Sequence, residues 1–503
     1  MTPNRAKRRA KSYPSALPMQ RKRLAYTLRE TTEMNTLTLR KQASKLVLAI
    51  ALATGTAMVA GHIVPDEAHA QRKKKKKKKG DDGGSAQYSK EWRAAFVPLD
   101  EALKAEGADP SAFTQQIEQV VALSQSGDEK LQTGQLIYNT GIRLGEGTPT
   151  EAQKKAGIAT RLRGMEMMLA SGKVPIAATG QYNFIVFQLA SVSGQNAKAR
   201  QYLDQAINLG YTGGQTKADL LVAKAQTYFN DDMYAQGLEV LDDAFAAEFA
   251  SGQTPEERLY QIAFSVAYRE DLRPQVYDYA VTRAQLYPTD ENWTNAINVV
   301  RLLNEDYDDQ ATLDMLRLSR MAGVMKDKQE YIIYVETADA RRLPQEVKEV
   351  IEQGYSLGAI ERDDSYITEQ LRIASGRIES DRQELPSLES DARAADASLA
   401  TVRAAGSAFL SYGEYAKAVE FYQKSLGMPG VDMEESLTRM GIAQVGMEDY
   451  AGAQATFAKI NGARKPMAKV WSGYAAYQSG DAAPGAPAAD EGPSLGDLMS
   501  ASS

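Results

Sequence analysis

Between Ser398 and Ala463, apolar and small residues fall at spacings of three, four and seven, and the whole pattern returns after 35 residues. Laid on itself, the stretch aligns Val402/Leu437, Ala405/Met440, Gly406/Gly441, Tyr415/Tyr450, Ala418/Ala453, Tyr422/Phe457 and Ser425/Ile460. Such spacings put one stripe of a helix against a partner helix. The stretch therefore predicts two helix–turn–helix units, with Gly406/Gly441 and Ala418/Ala453 where antiparallel helices approach closely. After them, "KVWSGYAAYQSG" predicts one more helix, its Trp471, Tyr474 and Tyr477 covering the open end of the array, so that residues 399–480 form two units and a cap.

The same periodicity runs upstream with more variation. Order is expected from Tyr88, where Trp92, Phe96 and Leu99 share a helix face. Asp109-Pro110-Ser111 reads as a helix start, and the helices through residue 180 each end near a Gly. Residues 181–330 predict degenerate repeats. Phe187, Ala190, Gly194, Ala199, Leu203 and Ala206 hold packing positions in one, and Ala225, Tyr228, Tyr234, Gly237, Leu241 and Ala244 in the next. A third ends at Pro288, and a fourth has Trp293 near its start. Residues 331–398 read as a helical connecting region. There "YIIYVETA" has strand-like propensity, but a lone strand would have nothing to pair with, so helix is expected. Pro344 opens a short helix expected to end before Gly354, and a highly charged helical stretch follows.

The 35-residue unit resembles the tetratricopeptide repeat, a helix–turn–helix module of about 34 residues. The resemblance implies an all-α fold, an α-solenoid of stacked helical pairs. It also implies that the first helix of each unit lines a groove for a peptide or another protein. Carried over position by position, the groove residues would be Arg403, Ser407 and Leu410 in one unit, and Glu435, Thr438, Arg439 and Ile442 in the next. The Lys and Asn with which the family clamps a terminal carboxylate are absent from these positions.

Composition narrows the chemistry. The chain has no Cys, and its two His, His62 and His69, lie in the N-terminal leader. Disulfides, thiolate sites and, once the leader is removed, imidazole chemistry are excluded. Asp231/Asp232, Asp242/Asp243, Asp308/Asp309 and Asp363/Asp364 are adjacent carboxylates expected on turns and exposed helix faces, where they act as solvated charge. "NEDYDD" and "DDGGS" lack the spacing of Gly and terminal Glu that a calcium loop needs, and no Gly-Lys-Ser/Thr phosphate loop occurs. No catalytic, cofactor or metal residues are assigned. The 25 Tyr against 11 Phe suit half-buried packing and partner interfaces.

The net charge of −6 hides an asymmetry. Residues 1–70 carry 12 Lys and Arg against 4 Asp and Glu, and Arg72 with Lys73–Lys79 adds 8 cations; of the 59 basic and 65 acidic residues, 39 and 61 remain for the body, a balance of −22. Such a body repels phosphate backbones, so no specific nucleic-acid partner is expected.

Residues 1–33 read as a basic extension, with translation starting at Met1 or at Met34. Residues 34–70 match a secretory signal: Arg40, Lys41 and Lys45, then an apolar run from Leu46, then Ala68-His69-Ala70 as a small-x-small cleavage site. Cleavage near Ala70 would deliver a periplasmic or secreted protein. The alternative is an inner-membrane anchor over 46–64, a run broken by Gly55, Gly61 and His62. Residues 71–87 are a polybasic linker whose Lys73–Lys79 could tether the chain to an anionic envelope surface. Residues 481–503, rich in Ala, Pro, Gly and Asp, are expected to be disordered.

The sequence thus points to a non-enzymatic interaction scaffold at the cell envelope that binds partner peptides or proteins in a solenoid groove. Two other readings stay open: an envelope polysaccharide- or peptide-processing hydrolase with a solenoid body, and a permanent subunit of a larger complex.

Overall fold

The computed structural model describes residues 87–480. The readings on the basic extension, signal peptide, anchor, polybasic linker and terminal tail lie outside the described residues. Within them the chain forms twenty α-helices and one short 3₁₀ helix, with no strand. It divides into two compact units at 247/248. Consecutive helices pack as adjacent pairs in each, the arrangement of an α-solenoid.

The first unit comprises α1 (Lys90–Lys104), the 3₁₀ turn Pro110–Phe113, α2 (Thr114–Leu123), α3 (Gly127–Leu144), α4 (Glu151–Ala170), α5 (Ile176–Val192), α6 (Asn196–Asn208), α7 (Lys217–Asn230) and most of α8 (Tyr234–Ala250). Trp92 of α1 is buried, and its indole N–H lies 3.2 Å from Ser124 Oγ and 3.0 Å from Thr133 Oγ1. Glu129, third residue of α3, closes a capping box with Ser126 and accepts backbone N–H groups from Ser89 at 2.6 Å and Gln125 at 2.9 Å. Burial opposes its charge, but these amide donors win and hold its carboxyl down at about 2.

The α3–α4 pair is the tightest in this unit, because glycines face backbone on both sides. A Cβ at Gly134 would lie 2.8 Å from the Gly164 carbonyl, and one at Gly141 only 2.7 Å from that of Gly157. Gly134/Gly141 and Gly157/Gly164 each recur at seven residues, two turns of helix, so each pair shares a face. In α5–α6, Phe187, Ala190, Ala199, Leu203 and Ala206 are all buried as the spacing requires, and Gly194 turns the chain with φ +72°.

The second unit contains α9 (Glu257–Arg269), α10 (Arg273–Leu286), α11 (Asp290–Leu303), α12 (Asp309–Met321), α13 (Lys328–Ala338), α14 (Pro344–Ser356), α15 (Ser365–Arg393), α16 (Leu399–Ser411), α17 (Tyr415–Leu426), α18 (Met433–Gly446), α19 (Tyr450–Phe457) and α20 (Lys465–Ser479). "YIIYVETA" is helical in α13. Asp327 caps its start, and Tyr331, Ile333, Tyr334 and Val335 are buried against neighbouring helices, a setting that overrides strand propensity. The charged connecting stretch is one 29-residue helix, α15, and only Ile367, Ala374 and Ala392 are fully buried in it.

The repeat positions behave alike in both clear units. Gly406 sits beneath the Tyr422 ring, and Gly441 beneath the Phe457 ring, the aromatic that aligns with it. An added Cβ would meet Tyr422 at 3.1 Å but Phe457 at 2.5 Å. Gly441→Ala is therefore expected to cost about 1–3 kcal/mol through overpacking, and Gly406→Ala less. Urea denaturation of the two variants checks the ranking, and equal midpoints would refute it.

The final helix departs from expectation. Rather than simply covering an open end, α20 folds back onto α10 and α11, nearly two hundred residues earlier in the chain. Trp471 is fully buried, stacks near Phe457, and donates its indole N–H to the Asp314 carbonyl at 3.2 Å. Tyr474 donates to the Met321 carbonyl at 2.9 Å and meets Trp293 edge-on, while Tyr477 stays 38% exposed. Gly473 lies against Val281, and Gln285 donates to the Gly473 carbonyl at 3.1 Å. A helix with Met467, Val470, Trp471 and Ala475 all buried needs neighbours on more than one side, and the start of the same unit supplies them. No described helix is long and apolar enough to cross a membrane.

Candidate functional site

The first helices of the two clear repeats, α16 and α18, carry the positions expected to line a groove. Leu410, Thr438, Arg439 and Ile442 are buried, and Glu435 is nearly so. Ser407 is half-buried, its hydroxyl 3.2 Å from Tyr422 Oη. Arg403 alone reaches solvent substantially, at 38%, while its guanidinium donates to Glu435. Thr438 donates to the carbonyl of Glu434 in its own helix at 2.6 Å. These residues thus do not form an open peptide groove. The inner side of α18 is covered by α12 of the same unit, so the surface is spent on intramolecular contacts.

What the helices bring together is a buried ionic cluster centred on Asp314 of α12, a side chain with no exposure. Its Oδ1 accepts from Arg317 at 2.8 Å and from Arg439 at 3.4 Å, and its Oδ2 from Arg464 at 2.8 Å. Arg439 also donates to Gln310 at 2.8 Å and to Glu435. Arg317 makes a two-pronged pair with Glu346, at 2.7 and 2.8 Å, and Tyr334 donates its hydroxyl to Glu346 at 2.7 Å. Asp314, Glu346 and Glu435 thus face Arg317, Arg439 and Arg464, with Arg403 joining at the edge.

Burial works against the charge of Asp314, but Arg439, Arg317 and Arg464 outweigh it and keep its carboxyl below the usual range. The same contest, won by Arg317 and the Tyr334 hydroxyl, lowers Glu346. Burial, followed by the charge of Glu346, pushes the Tyr334 phenol up. A folded-state carboxyl pKa below the unfolded value adds stability above the unfolded pKa, and that stability is lost as pH falls through the folded one. Thermal stability is therefore expected to hold from neutrality to about pH 4 and to drop below it. The drop should be shallower in Asp314→Asn; identical acid limbs in the two proteins would refute the role of Asp314.

Chemically, the cluster is a clamp. Its carboxylates are charge-paired and buried, and no group of three or more potential metal ligands occurs among the described residues. The adjacent acidic pairs also have structural jobs. Asp308 caps α12, and Asp364 caps α15 while pairing with Lys328 at 3.0 Å. Asp231 pairs with Arg200 at 2.8 Å and accepts from Asn196 at 2.7 Å. The sequence reading missed Asp314, Arg317, Glu346 and Arg464. A charged residue on the apolar stripe of α12 was the available signal, but its partners are up to 150 residues away.

Neither the family models nor the curated proteins compared with this sequence match it. The fold and the cluster define a class, an all-helical protein of stacked hairpins whose second unit is locked by an internal ion network.

Proposed function

We propose that the protein is an exported, non-enzymatic interaction scaffold of the tetratricopeptide type that binds protein or peptide segments at the cell envelope. The stacked hairpins, the 35-residue repeat and the fully paired charge cluster support this reading. Because the expected groove positions are turned inward, binding is assigned to outward surface. The observation that carries it is a pair of exposed apolar side chains on the first unit. Ile176 is 89% exposed and lies one turn before Gly180, against which Leu209, 51% exposed, and Tyr211 pack. Two large apolar side chains held in water on adjoining elements suit a protein partner.

Export rests on the signal-like segment before Ala70, and N-terminal sequencing of the native protein tests it: a chain beginning just after Ala70 supports it, and one beginning at Met1 or Met34 removes it. An envelope tether through Lys73–Lys79 is tested by deleting those residues; unchanged envelope fractionation would remove it. The binding reading is tested by affinity capture with mass spectrometry, comparing wild type with Ile176→Asp/Leu209→Asp. Partners should be lost from the variant while its melting temperature is kept. Recovery of no partner, together with turnover of glycans or peptides abolished by one carboxylate substitution, would replace the scaffold with a hydrolase.

A further inference from the structure

The junction between α19 and α20 carries a reactive pair that the scaffold reading does not use. Asn461 is the one asparagine in the sequence followed by glycine. Both residues are exposed and lie outside helices. The Asn461 side chain makes a single hydrogen bond, from Nδ2 to the Lys459 carbonyl at 3.2 Å. Gly462 donates its backbone N–H to the Glu434 carboxylate, which also accepts from the Arg464 N–H at 3.0 Å.

A Cβ at position 462 would lie 2.8 Å from the carboxylate carbon of Glu434, so a larger residue there would push that carboxylate aside. The missing side chain of Gly462 leaves its nitrogen unshielded toward the Asn461 amide, and its N–H already donates to the Glu434 carboxylate.

We propose that Asn461 is a site of spontaneous covalent modification, in which Gly462 N attacks Asn461 Cγ with Glu434 as the base. The Gly462 proton passes to Glu434, the N–Cγ bond forms, and the Cγ–Nδ2 bond breaks. The proton then leaves with Nδ2 as ammonia, so Glu434 is regenerated. Solvent water opens the resulting cyclic imide at either carbonyl and gives aspartate or isoaspartate; asparagine plus water becomes acid plus ammonia. The other asparagines precede residues with side chains, and Asn196, Asn208, Asn298 and their like lie within helices whose amides are engaged in the ladder. The product adds a carboxylate to the residue just before the amide that Glu434 holds, and isoaspartate adds a backbone methylene where the chain enters α20. The modification therefore acts as a timer on the closure of the second unit.

The test is peptide mapping by mass spectrometry of the full chain held at mildly alkaline pH and 37 °C. A one-dalton gain confined to the peptide containing Asn461 should build up with ammonia release, and Asn461→Gln should abolish it. Glu434→Gln should slow it several-fold. In the aged protein, amide exchange in α20 should rise ahead of that in α16 and α17. An intact Asn461 in the folded chain, when the excised peptide converts readily, would overturn the site. Conversion at an unchanged rate in a folded Glu434→Gln variant would overturn the role of Glu434. Neither result depends on whether a partner is found.

Discussion

Replacing Asp314 by alanine is expected to cost about 3–5 kcal/mol, because it strands buried cations rather than merely deleting a contact. Arg317 and Arg439 would keep Glu346 and Glu435, but Arg464 has no other ion pair among the described residues. The loss should appear in urea denaturation as a fall in midpoint. Amide exchange should speed up in α12, α18 and α20 together, since the Asp314 carboxylate binds Arg317 of α12, Arg439 of α18 and Arg464 at the start of α20. A loss below about 1 kcal/mol, the range of an exposed pair, would show that the cluster is hydrated and not a clamp. Arg464→Met in the Asp314→Ala background should recover part of the loss, because the stranded charge goes with it.

The second large effect is expected at Gly164. A Cβ there would sit 2.6 Å from both the Gly134 carbonyl and the Tyr138 amide nitrogen. Backbone atoms cannot rotate away as the Tyr422 ring can beneath Gly406, so α3 and α4 would have to separate. Gly164→Val is expected to cost about 3 kcal/mol or more, the upper end of overpacking. Gly172→Ala serves as the contrast: it has open space but a left-handed φ of +64°, and should cost only about 1 kcal/mol. Exchange protection lost in α3 and α4 but kept in α16 and α17 would locate the damage. Unchanged protection in α3–α4 would mean the two helices are not held at the spacing described.

Much of the helical content was legible because local chemistry dictates it. Ser89, Ser126, Thr150, Thr216 and Ser398 each sit before an apolar-periodic run and accept the N–H groups that a helix start leaves free. The helix α13 was legible only from its helical neighbours, since its strand-prone residues would have had no strand to pair with. The stacked repeat was readable from the pairs Gly406/Gly441 and Tyr422/Phe457, since a small residue facing a ring needs both at fixed spacing.

The groove was not legible in the same way. A helical stripe states that a face is covered, and it leaves open whether another chain or the same chain covers it. Arg403, Glu435 and Arg439 look like binding residues along the sequence, because the resemblance to the tetratricopeptide repeat places them on its groove-lining helices. Only when α18 is set against α12 does Asp314 appear opposite Arg439, 125 residues away.

The amino-acid order by itself determined the helices, their pairing into hairpins and, with no Cys in the chain, the exclusion of disulfide and thiolate chemistry. Those follow from contacts between residues a few turns apart, where spacing alone fixes which side chains meet. Tertiary structure decided that α20 returns to α10–α12 and that the charged inner face is neutralised from within. Long-range closure depends on the angles at which successive hairpins stack, and small differences in side-chain volume at each step accumulate into the direction the chain finally takes.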